Sequence, residues 1–430
     1  MNMMTWSLRF LLIAAAAMIP FMAACQATSD AGVHTRAPRA KAMARPNARS
    51  VPAHVQTAEY LWSKTEITTD PQIYAPYLTW AYPTYSRFGA VRSAGIKTVL
   101  YVNPLMPHTH TDYDYIRLSR DYPQAQARDC QGNPVSAYQG TGLLLDVRNA
   151  QARAAVNAVV GDYVTRVTRD GESPGAISAV FVDNANSFYG VSPMPCGFNQ
   201  AAWTAAMDAA LSEIRYPVIV NSLSVHPNQV PAKIAGVRGR SVTGAMYEEC
   251  FNDRQWIAEE KAQIETVAEL RRLHKPPGAG FWCYLNGTTA DAAAAVPQRL
   301  FAYASFLLTY DPAYSVFQES FSTPSTFKVM PETQFVPLAP VVAPASVEQL
   351  QSSGGAYVRE YRYCYYRGAP VGACEIAVNP GGGSVPVPNA GSYRHSMVIA
   401  GEGVLDGGSV RFDGGVPSQL DAQSAAILVR

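Results

Sequence analysis

From Val55 onward, apolar runs of four to eight residues alternate with helical patterns, and this alternation constrains the fold more than any other feature of the chain. Strands are expected near Thr57–Trp62, Lys97–Asn103, Leu143–Val147, Ser178–Asp183, Val218–Asn221, Thr243–Glu248, Gly280–Tyr284 and Tyr314–Gln318. Helices are expected at about Tyr85–Ala94, Ala150–Arg169, Gln200–Ile214, Pro227–Ile234, Arg254–Leu273 and Ala290–Thr309. The fifth helix carries an apolar stripe of Ile257, Ile264, Val267 and Leu270 with Glu and Lys between. Eight strands with crossover helices over residues 55–326 predict a (β/α)8 TIM barrel, whose active site forms at the C-terminal strand ends. A doubly wound open sheet would carry a Gly-rich phosphate turn after its first strand, and Tyr60-Leu-Trp-Ser-Lys has none.

After Phe327 the texture changes. Pro331, Pro337, Pro340 and Pro344 mark residues 327–354 as a connector, and short apolar runs parted by Gly-rich turns then fill 355–430. These predict a small C-terminal antiparallel β-sandwich domain.

Residues 1–25 read as an export signal: Arg9, an apolar run from Phe10 to Ala24, and small residues ahead of Cys25. The run is too short to favour a permanent membrane span. Met22-Ala-Ala-Cys25 resembles a bacterial lipobox, which makes Cys25 a lipidated first residue; Gln26 after it points to an outer-membrane anchor, with ordinary periplasmic or extracellular secretion as the alternative. Residues 26–54 contain Arg36, Arg39, Lys41, Arg45 and Arg49 with almost no large apolar side chain, the composition of a flexible basic tether. A net charge of +1 over 430 residues gives that arm no basic surface to extend, so a nucleic-acid partner is not expected. The protein is expected to act as a monomer.

Of seven cysteines, lipidation of Cys25 leaves six, an even number that suits disulfides in an oxidising compartment. Cys364 and Cys374 flank a hairpin turn; Cys250 and Cys283 sit near the ends of strands six and seven and either pair or are simply buried; Cys130 and Cys196 lie in long loops on one face. No spacing resembles a metal site, and His108-x-His110 has no downstream ligand set. Neither a metal nor an organic cofactor is expected. Gly-x-Ser-x-Gly, His-Glu-x-x-His and phosphate-loop motifs are absent from the sequence.

Nearly every expected strand ends in a polar group. Asn103 ends the second, Asp146 the third, Asp183 the fourth, Asn221 the fifth, Glu248 and Glu249 the sixth, Tyr284 and Asn286 the seventh, and Glu319 the eighth. Cleaving a glycosidic bond takes two carboxyl groups flanking one bond, and Asp183 with Glu248 is the candidate pair. Side chains alternate along a strand, so an inward Asp183 takes Phe181 and Ala179 with it, and Gly244, Met246 and Glu248 share one face. Glu248 is therefore favoured over Glu249, although a bulge would re-aim Glu249. The competing reading of each acid is structural: a helix cap for Asp183, a solvated loop charge for Glu248 or Glu249, and a partner of Arg148 for Asp146. Glu319 is a candidate third acid or substrate clamp. Trp80, Tyr82, Tyr101, Phe188, Tyr189, Trp282 and Tyr284 fall near strand ends, where flat aromatic faces suit sugar rings; core packing is the alternative for each. The substrate-binding candidates are thus Asp146, Asn103, Asn221, Trp282, Tyr284, Glu249, Glu319 and Trp80.

Leu143-Leu-Leu-Asp-Val-Arg-Asn, Gly175-Ala-Ile-Ser-Ala-Val-Phe-Val-Asp183-Asn and Gly244-Ala-Met-Tyr-Glu248-Glu resemble, in order and type, the TIM-barrel glycoside hydrolases of bacteria, and more distantly endo-α-1,4-polygalactosaminidases and α-galactosidases. Tyr357-Val-Arg-Glu-Tyr and Glu375-Ile-Ala-Val-Asn-Pro resemble the start of their accessory β domain. The resemblance spans about Val55 to Arg430. It implies an exported enzyme that cleaves a poly- or oligosaccharide, with Asp183 as nucleophile and Glu248 as acid/base; α-galactosidases usually place Asp at the latter position. It leaves the sugar, the stereochemical outcome and endo or exo action open. The alternative is a catalytically inactive carbohydrate-binding or surface-assembly lipoprotein on the same scaffold.

Overall fold

The computed structural model describes residues 51–60, 70–108, 112–169, 173–185, 188, 190–223, 237–251, 255–286, 294–320, 328–342 and 344–430. The expected signal segment with Cys25, most of the expected tether, the expected helix at 227–234, His110 and Tyr189 lie outside these residues. Among them no helix is long and apolar enough to cross a membrane.

Eight parallel strands close a barrel in sequential order: β1 Gln56–Tyr60, β2 Trp80–Tyr82, β3 Lys97–Val102, β4 Ala179–Val182, β5 Val218–Asn221, β6 Val242–Glu248, β7 Phe281–Asn286 and β8 Ser315–Ser320. Seven of the expected strands are here; Leu143–Val147 is not. Gly142–Leu143 instead pairs antiparallel with Ser136–Ala137 in the excursion after β3. Leu143 N–H donates to Pro107 O at 3.1 Å and Leu145 N–H to Leu105 O at 3.1 Å, so the leucine run is satisfied by neighbouring loops while its side chains fill the outer core. The true second strand, Trp80–Tyr82, is only three residues long, too short for a period of two to register. One strand is lost and one gained before Asp183, which therefore still follows the fourth.

Alternation sorts the strands into two cores. Ala58, Trp80, Val99, Ala179, Phe181, Ile219, Met246, Trp282 and Val316 fill the barrel interior. Their neighbours Val180, Val182, Val218, Val220, Ala245 and Tyr247 face outward against the helices. Helices α1 Phe88–Ser93, α2 Tyr113–Asp121, α3 Ala150–Arg169, α4 Gln200–Ser212, α5 Trp256–Arg272 and α6 Val296–Leu308 follow strands. Along α5 the buried face is Trp256, Glu259, Glu260, Gln263, Val267 and Leu270, whereas Ile257 is 45% exposed. Val267 and Leu270 of the expected apolar stripe hold their place and Ile264 packs against the core, but a polar seam shares the face: Gln263 Nε2 donates to Phe306 O at 3.3 Å and to Ser315 Oγ at 3.1 Å, and Thr309 Oγ1 donates to Glu260 Oε2 at 2.8 Å.

The C-terminal region is a six-stranded antiparallel sheet, β9 Phe335–Pro340, β10 Tyr357–Tyr366, β11 Ala369–Asn379, β12 His395–Ala400, β13 Ser409–Gly414 and β14 Ser424–Val429, in the order β9-β10-β11-β14-β12-β13. A two-stranded ribbon, Val385–Pro386 with Gln419–Leu420, forms the small second layer around Ala377, Val387 and Leu428. The Pro-rich segment 327–354 is more than a connector, since it supplies the edge strand β9. An edge position tolerates Pro337 and Pro340 because one side of the strand needs no ladder donor. Arg367 and Gly368 form the two-residue turn between β10 and β11, both with positive φ (51° and 75°), the conformation that matches strand twist. The sheet is tied to α6: Tyr361 Oη donates to Leu307 O at 2.5 Å and Arg359 Nη1 to Leu308 O at 2.8 Å. Arg299 of α6 makes a bidentate, fully buried pair with Glu332 at 2.8 and 2.5 Å.

Candidate active site

Three consecutive strand ends converge on one point. Ile219 and Met246 face the barrel interior, so Asn221 and Glu248, two residues further along β5 and β6, face the same way, and Asp183 follows Phe181 likewise. Asn221 Nδ2 donates to Asp183 Oδ1 at 2.9 Å and to Glu248 Oε2 at 2.7 Å. A side-chain amide has two N–H donors, and here each meets a carboxylate; the reverse orientation would aim the amide oxygen at two acceptors. Laid end to end, the 2.9 Å and 2.7 Å bonds cap the separation of the two accepting oxygens at about 5.6 Å.

The two acids sit in different surroundings. Asp183 also accepts from Tyr101 Oη at 2.5 Å and from the Asn184 N–H at 2.8 Å. Burial raises its pKa above the usual aspartate value, and these donors together with Asn221 limit the rise. Burial and the neighbouring Asp183 charge push the Tyr101 phenol well above its ordinary range, so it remains a donor. Glu248 is exposed. Asn184 (φ 55°) and Glu249 (φ 60°), the residues just past the two acids, are both left-handed, a costly conformation for non-glycine residues that clusters at functional sites.

A cavity of about 610 Å³ opens above the pair. Beyond Asp183 and Glu248 its wall carries Glu249, Asp112 and Asp114, and no Lys or Arg among the described residues. Asp114 accepts from the Asn103 backbone N–H at 3.0 Å, and burial raises its pKa. Tyr138 stands edge-on to His108 with ring centroids 4.3 Å apart, and burial raises its phenol's pKa too.

Among the expected site residues, Asp183, Glu248, Glu249 and Asn103 line the cavity and Asn221 bridges the two acids. Five others need correction or comment. Trp80 and Trp282 are 5% and 0% exposed and pack on each other inside the barrel at 5.6 Å between ring centroids. Trp80 is the first residue of β2, in register with Lys97 at the start of β3, so it sits at the end of the barrel away from the cavity. Tyr284, paired in register with Glu248, is half-buried against the same interior cluster and does not line the cavity. Asp146 lies in the excursion after β3 and is bound by the guanidinium of Arg148 through two bonds of 2.8 Å, the structural role weighed for it above. Glu319 belongs to β8, but its side chain lies outside the described residues, as does that of Asn286. Sequence reasoning missed Asp112, Asp114, Tyr138 and Tyr163; the acid–aromatic alternation Asp112-Tyr-Asp114-Tyr was the available signal. Among the described residues no group of three His, Cys, Asp or Glu side chains suits a metal ion.

No protein-family model matches the sequence, and neither does any curated protein sequence. Several solved structures that resemble the fold are glycoside hydrolases. The glycoside hydrolase domain of PelA from Pseudomonas aeruginosa is 11% identical, covers 62% of this chain and 94% of its own, and has a TM-score of 0.39. A GH30 endoxylanase from Clostridium papyrosolvens C71 is 11% identical, covering 88% and 96%, with a TM-score of 0.42. A GH27 β-L-arabinopyranosidase from Geobacillus stearothermophilus is 8% identical, covering 88% and 97%, with a TM-score of 0.43. Likenesses of this size set neither substrate nor mechanism.

Proposed function

We propose that the chain is an exported glycoside hydrolase that cleaves a poly- or oligosaccharide with retention of configuration. The observation that carries this reading is the shared amide of Asn221. Retaining enzymes hold their carboxyl groups about 5–5.5 Å apart, whereas inverting ones leave about 6.5–9.5 Å for a water. The bonded oxygens lie no farther apart than about 5.6 Å, short of the roughly 6.5 Å at which the inverting range begins. Asp183, surrounded by donors, is the nucleophile: its ionised carboxylate attacks the anomeric carbon as the glycosidic bond breaks. Glu248 gives its proton to the departing oxygen, then takes one from the water that releases the sugar from Asp183. The acidic wall, without a described cation, disfavours polyanionic glycans and admits neutral sugars or amino sugars. Nothing in this sequence of steps requires a metal or organic cofactor.

Export is supported by three disulfides, Cys130–Cys196, Cys250–Cys283 and Cys364–Cys374, which suit an oxidising compartment. Anchoring through a lipid on Cys25 completes the proposal and would place the barrel at the outer membrane on a basic tether. Purified protein screened against bacterial and plant polysaccharides should hydrolyse at least one, and Asp183→Asn and Glu248→Gln should each abolish that activity while remaining folded. Full activity in both variants would overturn the assignment; glycan binding unchanged by Asp183→Asn, with no hydrolysis by the parent, would favour the inactive binding protein.

A further inference from the structure

Two long excursions rise from the barrel mouth, 103–149 after β3 and 183–199 after β4, and they are bound to each other. Cys130–Cys196 joins them covalently, and Cys196 N–H donates to Arg128 O at 2.8 Å. Arg148, its guanidinium fixed by Asp146, donates to Gly197 O at 2.9 Å and to Cys196 O at 3.1 Å. Gln139 N–H donates to Gly190 O at 3.2 Å.

Between these excursions lies a second cavity of about 630 Å³, as large as the one over the acids. Ser136, Gln139 and Gly140 come from the first excursion, and Phe188, Gly190 and Ser192 from the second. Tyr138 belongs to one wall and touches the other. The Tyr138 side chain lines the catalytic cavity, while its backbone packs on Gly190 in the wall of the other. A Cβ on Gly190 would stand 2.9 Å from Tyr138 Cα and 2.5 Å from Gln139 N, so only glycine allows this approach. Tyr138 (φ 49°) and Gln139 (φ 58°) are both left-handed, a strained pair that persists because the neighbouring excursion holds it.

The chemistry of the two walls differs. The catalytic cavity carries five carboxylates, Asp112, Asp114, Asp183, Glu248 and Glu249, whereas the described wall of the second has no charged side chain and offers two serine hydroxyls and an amide. Such groups hydrogen-bond the hydroxyls of a sugar ring and have no preference for charge. Resting on the glycosidase reading above, we propose that the second cavity is a distal subsite. It grips hydroxyl-bearing sugar units of the same glycan whose scissile bond lies at Asp183 and Glu248, and the enzyme therefore cuts within chains rather than at their ends. A chain that crosses Tyr138 occupies both cavities, and binding in the distal one holds the scissile bond at the acids.

The test compares two substrates: the polysaccharide hydrolysed by the parent protein, and a short aryl glycoside of the same sugar that fills only the catalytic cavity. Ser192 is exposed, so Ser192→Trp obstructs the second cavity without disturbing a core. Gln139→Gly removes the amide and keeps the left-handed backbone without strain. Both variants should raise KM for the polysaccharide, Ser192→Trp by about tenfold, the equivalent of one lost sugar contact. Neither should change kcat/KM for the aryl glycoside, which also shows that the variants are folded. Early products of the parent should be oligosaccharides of mixed length. An unchanged polysaccharide KM in both variants, an equal loss on both substrates, or a parent that releases only single sugars from chain ends would overturn the proposal. A parent inactive on every substrate would instead refute the glycosidase reading itself.

Discussion

Tyr101→Phe isolates the bond that most opposes the effect of burial on the ionisation of the proposed nucleophile. The hydroxyl lies 2.5 Å from Asp183 Oδ2, a charge-assisted bond, while the ring stacks on Phe181 at 5.8 Å between centroids and would keep that packing as Phe. A hydrogen bond to a charged group contributes about 1.5–3 kcal/mol. Its loss falls on the ionised form alone, and at 1.36 kcal/mol per unit this corresponds to a rise of about one to two units in the Asp183 pKa. Burial already places that pKa above the usual aspartate value, so the acid limb of the kcat/KM profile should start high and move further toward neutral pH in the variant. The assay is the pH dependence of kcat/KM for parent and variant on one substrate. At a pH on the limb, activity should fall by about ten- to a hundredfold, and much of it should return as the pH is raised. A uniform loss at every pH, with the limb unmoved, would refute the account of Tyr101 as a donor to an ionised Asp183.

Two stability predictions follow from groups remote from the cavity. Burial pushes Asp208 on α4 up to about 6, which means the folded state holds its proton more tightly than the unfolded chain; its contribution is full at low pH and is lost as pH rises through about 6. Asp208→Asn should therefore stabilise the protein by about 1 kcal/mol at pH 8, after allowance for its partial exposure, and leave it nearly unchanged at pH 3.5 in denaturant titrations. Equal effects at both pH values would contradict the assignment. Arg299→Met leaves Glu332 buried without its partner and removes the bond to Gly401 O, so unfolding free energy should drop by about 3–5 kcal/mol and the C-terminal sheet should become protease-sensitive first. A change below about 1 kcal/mol would mean the pair is not closed to water in solution.

Much of the fold was legible because burial leaves a period in the sequence. The strands that end in Asp183, Asn221 and Glu248 are apolar on both faces or alternate cleanly, and their inner neighbours Phe181, Ile219 and Met246 occupy the expected side. Trp80–Tyr82 was not legible, since three residues carry no period, and the leucines at 143–145 imitated a strand because an excursion buried against helices needs the same apolar run as a barrel strand. That exchange also explains the tryptophans: with β2 unseen, Trp80 read as part of a loop at the mouth rather than as the base of the barrel interior. Within the cavity, residues on strand ends were found and residues on the excursion were not. Asp112, Asp114 and Tyr138 reach the cavity through loop geometry set by non-local contacts such as Gly190 against Tyr138, which no local pattern encodes. Asp146 was recognised as one of two alternatives, and only its position beside Arg148 and the Cys196–Gly197 carbonyls decides between them.

The Asn221 bridge is the centre of the account, and its most direct consequence is stereochemical. Proton NMR of the first-formed product, recorded before the anomers equilibrate, should show the same anomeric configuration as the bond that was cut. A first product of opposite configuration would mean that water attacks directly, and that Asp183 and Glu248 work farther apart than their shared amide permits.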